Sequence, residues 1–455
     1  MAGIVLTADI GTSSLKAAFI DFDGRLLAFS RAAYDVPDAG GVIGADAWER
    51  AFALALENLY ALAPDTGIDG ICISGNGPTL VPLEADGESL PPLYWHDCKT
   101  LPLSTDANLS SSALSFFLPR AAWLKKNARP EYEKTSLFLS SHEWLAYRLG
   151  AGAFTVLPQP AYEPYYWDDE QFRLFGLDSE KFPPFKKSGS VMGYVSAKAA
   201  SFFGSRCGSR IKSGTPIIAG GPDYIAALIG TLTLRPGEVC DRAGSSEGIN
   251  VCADLRPTEN VCQAENIRHV ENENGRAANG DGIRVLPHAK EGLWNVSALI
   301  PSSGRLFEDY RRDTGQEGRP YEELLAELIP SPFPVLHPSF PTPHSPLPTP
   351  HSPLDQGRKV LCAIGFAVRS ALDTLKDAGF PIKEMRLSGG QSKNPRWNQL
   401  KADISGVSLM IPEISDAELA GNAVLAAAAL TNADMEEEAK RMIRFREVYK
   451  PRINR

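Results

Sequence analysis

A chain of 455 residues, 43% hydrophobic and 22% charged, can bury sizeable cores, lacks the composition of a disordered protein, and divides at roughly 100–200 residues per domain into about two to four units, which suits a two-domain enzyme. Its formal charge of -9 argues against a nucleic-acid or anionic-membrane partner, so an anionic substrate would have to bind at a local site. Seven scattered cysteines without a CxxC pair suit neither a disulfide framework nor a zinc site and predict reduced core thiols; with no charged leader and no run of about 18 apolar residues, a soluble cytoplasmic protein is expected.

In chain order, GIVLTADIG and LKAAFIDFDGRLLAFS read as strands, with Asp23-Gly24 at a tight hairpin turn. Residues 45–63 carry helical spacing, with Trp48, Phe52, Leu56 and Leu59 on one face, and GIDGICISGNG reads as a buried strand ending in a glycine turn. A second α/β region is expected from about residue 215: TPIIAGGPD as strand and turn, YIAALIGTL as a short helix, GEVCDRAGSSEGINVCAD as strand-turn-strand. MRLSGGQSKNPRWNQLKADISG follows as strand, glycine turn and helix. Between about 328 and 357 the composition changes to a proline-rich stretch in which TPHSPL occurs twice. Proline removes backbone donors and forbids helix, so an extended surface loop is expected there, more simply a tolerated insertion than a docking motif.

Two glycine-rich turns invite comparison. Asp9-Ile10-Gly11-Thr12-Ser13, continued by Ser14 and Lys16, and Arg242-Ala243-Gly244-Ser245-Ser246 each sit between two strands. Each supplies close backbone approach, N–H groups and hydroxyl donors of the kind a polyphosphate needs. They differ at one position, where the first has Asp9 and the second Arg242. On this basis only the first carries a carboxylate able to organise Mg²⁺, directly or through water, the alternative being a turn cap. Asp223 follows Gly220, Gly221 and Pro222 at a strand end, where it could equally cap the helix expected at 224–230. Gly389 and Gly390 leave room for a flat purine, with Gln391, Ser392 and Asn394 offering polar edges, unless the segment is an ordinary strand-to-helix loop. Glu418 and the run from Gly421 to Ala429 describe a small-residue helix suited to close packing.

Taken together, these segments resemble the FGGY family of carbohydrate kinases, the xylulokinase-like group, over nearly the whole chain. LTADIGTSSLKAAFID is similar to the family's first phosphate motif, AGGPDYIAALIGT to its catalytic-base segment, RAGSSEGIN to its second phosphate motif, and LSGGQSKNPRWNQLKADISG with DAELAGNAVLAAAA to its adenosine region. The resemblance implies an α/β protein of two actin-like (ribonuclease H-like) ATPase domains with a nucleotide and sugar cleft between them, an N-terminal domain at 1–224 and a C-terminal one at 225–455. It further implies ATP and Mg²⁺ as cofactors, Asp223 as the general base, closure of the domains to exclude water, and a small sugar, ketose or polyol as substrate. Oligomeric state stays open, a homodimer included.

The sugar-facing segments depart from the family pattern. Gly75-Asn76-Gly77-Pro78-Thr79 stands where xylulokinases carry Gly-Gln-Met-His-Gly, and Tyr94-Trp95-His96-Asp97-Cys98-Lys99 resembles their Trp-Asn-Asp-x-Arg stretch. Asn76, Gly77, Trp95, His96 and Asp97 are the candidate substrate liners, with core packing, surface polarity or a turn as the alternatives for Trp95, His96 and Asp97 respectively. The proline-rich repeat replaces the family's Gly-Glu-Arg-x-Pro stretch, after which KVLCAIGFAVRSALDTL resembles the usual following helix. Glu247 is an added carboxylate beside the second turn; near phosphate it would repel charge unless it points away or faces metal, and its spacing suggests a substrate hydroxyl instead. Two readings of another class remain: a sugar or nucleotide sensor that has lost transfer, and an actin-like ATPase without a sugar substrate.

Overall fold

The computed structural model describes residues 3–34, 43–95, 115–208, 210–244, 246–254, 283–330 and 352–452. The chain forms two compact units, one made of Met1–Leu232, Ala289–Glu291 and Glu418–Ile443, the other of Thr233–His288, Gly292–Ala417 and Arg444–Arg455.

The first unit is built on a six-stranded sheet of β1 (Ile4–Ile10), β2 (Ser14–Asp21), β3 (Leu26–Ala33), β4 (Gly70–Gly75), β5 (Val191–Tyr194) and β6 (Pro216–Pro222), in the order β3-β2-β1-β4-β6-β5. Strands β1, β4 and β6 run parallel, and β1 and β4 are buried almost throughout, as expected of parallel strands covered on both faces. Gly24 turns the β2–β3 hairpin at φ 80°. Helix α1 (Ala45–Leu62) packs on the sheet through Trp48, Phe52, Leu56 and Leu59, all fully buried. Each such side chain contributes roughly 1.5–3 kcal/mol of transfer free energy. Helix α2 (Ser141–Leu149) follows, and α3 (Asp223–Gly230) continues directly from β6. The strand at 216–222, with which the sequence pattern opens a second α/β region, is instead a member of the first sheet, because its apolar run pairs in parallel register with β4.

The second unit repeats the plan with β7 (Val239–Ala243), β8 (Glu247–Ala253), β9 (Ile283–Pro287), β10 (Trp294–Ile300), β11 (Glu384–Ser388), β12 (Ser408–Pro412) and β13 (Phe445–Tyr449), in the order β9-β10-β8-β7-β11-β12-β13. In each sheet an antiparallel hairpin, β1–β2 or β7–β8, is followed by parallel neighbours, β4 and β6 or β11 and β12. Helices α4 (Ser303–Asp313), α5 (Pro353–Asp377) and α6 (Pro395–Ser405) cover this sheet with residues such as Val368, Leu372 and Ala402 in its core and Phe307, Leu361 and Trp397 in a neighbouring cluster.

Helix α7 (Ala417–Thr431) returns the chain to the first unit. Its small residues serve close packing: a Cβ placed on Gly421 would lie 1.9 Å from the Ala226 carbonyl oxygen of α3. The described cysteines Cys72, Cys240, Cys252 and Cys362 are buried thiols, and among the described residues no helix is long and apolar enough to cross a membrane. The TPHSPL repeat, together with His96, Asp97 and Ser245, lies outside the described residues.

Candidate functional site

In the first unit the candidate chemistry gathers at the carboxyl ends of β1, β4 and β6, where open α/β sheets bind ligands. Asp9 on β1 pairs in register with Ser74 on β4, which pairs with Gly221 on β6, and Lys16 on β2 lies opposite Asp9. Asp223 is the first residue of α3, entered directly from Pro222 at the end of β6. Glu418 joins from the first turn of α7, its carboxylate 3.9 Å from the Lys16 ammonium.

Asp9 is almost fully buried and accepts a 2.8 Å hydrogen bond from Ser74 Oγ. Burial first, then the charges of Glu418 and Asp223, push its carboxyl up to about 7, against the opposing pull of Lys16 and the Ser74 hydrogen bond. Glu418 and Asp223 thus add like charge to the Asp9 site, and Lys16 only partly offsets it.

The first turn is held from beneath. Gly11 N–H donates to Ser14 O at 3.1 Å, while Tyr34 Oη and Asn76 Nδ2 both donate to Gly11 O, at 3.1 and 3.2 Å. Thr12 and Ser13 are exposed at the tip, whereas Ser14 turns inward and accepts from Arg31 Nε at 2.9 Å. Asn76 is buried and spends its amide on the loop: its oxygen accepts from Thr79 Oγ1 at 3.1 Å, and Ser141 Oγ donates to its backbone oxygen at 3.2 Å. Gly77 is exposed. Trp95 is 39% exposed, which removes the core alternative, and its carbonyl accepts from Arg120 at 2.8 Å.

In the second unit the turn between β7 and β8 stands over a buried ionic cluster. The Lys401 ammonium, wholly buried on α6, lies 3.1 Å from Asp241 and also pairs with Glu247. Glu247 accepts in addition from Ser303 Oγ on α4. Both of its carboxylate oxygens are therefore engaged inside the unit, which corrects the expectation that Glu247 reaches a substrate hydroxyl. Burial opposes its charge, but Lys401 and the hydrogen bonds hold Glu247 below the usual carboxylate range; burial and Glu247 hold Asp241 well above it. The contrast drawn between the two hairpins also changes, because the second does carry a carboxylate, Asp241, one position earlier than Asp9 and committed to Lys401.

Gln391 ties this cluster to the turn. Its Nε2 donates to Gly244 O at 3.3 Å and to Ser303 Oγ at 2.9 Å, while its Oε1 accepts from Trp397 Nε1 at 3.1 Å. Asn394 caps α6, accepting from the N–H groups of Arg396 and Trp397 at 3.0 and 3.1 Å. Gly389, at φ 88°, would place a Cβ 2.5 Å from the Ala243 carbonyl, whereas a Cβ on Gly390 would meet nothing within 4 Å. Gly244 and Ser246 are exposed. Glu418, Ser74, Asn422, Asp241 and Lys401 were not singled out as site residues from sequence. For Ser74 and Asn422 the signal is a polar side chain interrupting a small or apolar run, GICISG and GNAVLAAAA; Lys401, between Gln399 and Asp403, carries no such signal.

The N-terminal domain of the FGGY family of carbohydrate kinases matches residues 4–230 and its C-terminal domain residues 331–430. An autoinducer-2 kinase from Escherichia coli O9:H4 (strain HS) is 23% identical over 98% of this chain and 90% of its own length. A xylulose kinase from Bacillus subtilis (strain 168) is 23% identical over 93% and 87%. In fold, a gluconate kinase from Lactobacillus acidophilus superposes with a TM-score of 0.74 at 17% identity, covering 99% of this chain and 94% of that one.

Proposed function

This chain belongs to the FGGY family of carbohydrate kinases, with the two-domain actin-like ATPase fold, and we propose that it transfers the γ-phosphoryl group of ATP to a hydroxyl of a small sugar, ketose or polyol. The convergence of Asp9, Asp223, Glu418 and Lys16 at the ends of parallel strands carries this reading. Phosphoryl transfer asks a protein mainly for alignment, electrostatic balance and one proton acceptor. Asp223 accepts the hydroxyl proton as the sugar oxygen bonds to phosphorus and the bond to ADP breaks. The first turn, with Gly11, Thr12, Ser13 and Lys16, and the second, with Gly244, Ser245 and Ser246, hold phosphate oxygens. The open face over Gly390 suits the purine, with Asn394 at its edge, and Gln391 keeps that loop in shape.

The residues present fit a magnesium ion. Among the described residues no three His, Cys, Asp or Glu side chains are grouped to hold a metal; Mg²⁺ needs no such cage, since it keeps waters and takes one or two carboxylates together with substrate phosphates. The raised Asp9 carboxyl, crowded by Glu418 and Asp223, is the group whose charge such a cation would balance. The ion would neutralise charge on the phosphate oxygens.

The liners of the sugar site are proposed as Trp95, Gly77, His96 and Asp97, with Asn76 shaping the loop beneath. Xylulose and autoinducer-2, named for the two relatives, head the panel of substrates to test. The experiment is ADP release over ketoses, aldoses, polyols and sugar acids with a sugar-free control, in the parent and in Asp223→Asn. Sugar-dependent ADP that vanishes in the variant while ADP binding persists is expected. ADP released without sugar, or parent-like turnover in the variant, overturns the assignment.

A further inference from the structure

Asn422 sits within α7 among alanines and is completely buried. A buried amide is costly unless its hydrogen bonds are made, and here its neighbours decide its orientation. Asn422 Nδ2 lies 2.9 Å from the Ala8 carbonyl oxygen, which can only accept, so the NH₂ group must face β1. The Asn422 oxygen faces β4, where the Cys72 thiol donates to it at 3.7 Å. The second amide hydrogen then goes to Ser74 Oγ, also at 2.9 Å. A hydroxyl has one hydrogen, and with Asn422 donating to its oxygen, Ser74 sends that hydrogen to Asp9 Oδ1 at 2.8 Å. Gly220 on β6 completes the fit, since a Cβ there would meet Asn422 Oδ1 at 3.0 Å and the Ile73 carbonyl oxygen at 2.0 Å.

A single side chain on α7 thus touches β1, β4 and β6 beside their carboxyl ends. From this geometry we infer that Asn422 is a positioning residue that acts through Ser74: it fixes the direction of the Cys72–Asn422–Ser74–Asp9 hydrogen-bond chain and so holds Asp9 Oδ1, leaving the other carboxylate oxygen oriented for a divalent cation. The groups facing Asp9 are Lys16 from β2, Ser74 from β4, Asp223 from α3, Glu418 from α7 and Tyr34 after β3. The inference rests on the proposed role of Asp9 as the metal-organising carboxylate.

The test is calorimetric binding of ADP with and without Mg²⁺ to the full chain and to Asn422→Leu, Ser74→Ala, the double variant, Ser74→Thr and Asp9→Asn, with thermal unfolding alongside. Losing a hydrogen bond to a carboxylate predicts roughly tenfold weaker Mg²⁺-ADP binding in Asn422→Leu and in Ser74→Ala. Metal-free ADP binding should change less than about twofold, the double variant should be no weaker than either single one, and Ser74→Thr should bind like the parent. If Asn422→Leu does not fold, Asn422→Asp keeps the shape, replaces the donors by acceptors, and reads the same step. Parent-like Mg²⁺-ADP binding in the Asn422 variant while Asp9→Asn is weakened overturns the positioning role. So does additivity in the double variant. Parent-like binding in Asp9→Asn overturns the metal role of Asp9 itself.

Discussion

Lys401→Met tests whether the turn between β7 and β8 rests on its buried ionic cluster. In the parent, the ammonium lies 3.1 Å from Asp241 and also pairs with Glu247, every partner being buried. At an effective dielectric near 20, a pair at that distance is worth about 5 kcal/mol of Coulomb attraction before desolvation is charged against it. Methionine fills most of the volume but leaves Glu247 uncompensated. The penalty has a ceiling, because the carboxyl can escape by taking up a proton. From a reference value of about 4.3 that costs about 4 kcal/mol near pH 7.5 and only about 1.6 kcal/mol near pH 5.5. The sign follows. In the parent, Lys401 and the hydrogen bonds hold Glu247 low despite its burial, so its stabilisation is present above its unfolded value and lost on acidification. In the variant, burial raises it, and its contribution falls as pH rises. Urea titrations should therefore give a loss of roughly 3–4 kcal/mol near pH 7.5, shrinking below about 2 kcal/mol near pH 5.5. A loss under about 1 kcal/mol at the higher pH, or one that grows on acidification, refutes the assignment of a charged lysine to this cluster.

Gly421→Ala should lower thermal stability by about 1–3 kcal/mol, since its Cβ meets a backbone oxygen at 1.9 Å, and should reduce kcat by shifting Glu418 and Asn422. Gly318→Ala, with nothing within 4 Å, should change neither. Tyr34→Phe removes the donor to Gly11 O; the unfolding free energy should fall by about 0.5–1.5 kcal/mol, the contribution of one neutral hydrogen bond, and the KM for ATP should rise as the first turn loosens. Glu143, buried at the start of α2, accepts from the Ser140 and Val156 N–H groups, yet burial pushes its carboxyl up to about 7. Its contribution therefore favours the fold at low pH and is lost as pH climbs from about 4.5 to about 7. Glu143→Gln should flatten the unfolding profile over that interval while costing about 1–3 kcal/mol for the hydrogen bond that an amide cannot accept.

What could be read from sequence, and what could not, divides along physical lines. Both glycine hairpins were legible because a strand, a glycine and a strand leave a local signature, and residues within one hairpin meet whatever the rest of the chain does. The α1 face of Trp48, Phe52, Leu56 and Leu59 was legible for the same reason, helical period alone bringing those side chains together. The partners of Glu247 are not legible, because Lys401 and Ser303 lie 154 and 56 residues away, and no local pattern shows that a carboxylate beside a glycine turn faces inward. Asn422 is the extreme case. Its bonds to Ala8 and Ser74 span 414 and 348 residues, and only the return of α7 to the first unit brings them into reach. In sequence it is one polar residue in an alanine run, and in an exposed helix the same substitution would cost little. Buried, an amide persists only where specific donors and acceptors await it, so the sequence oddity and the directed hydrogen-bond chain to Asp9 express one constraint.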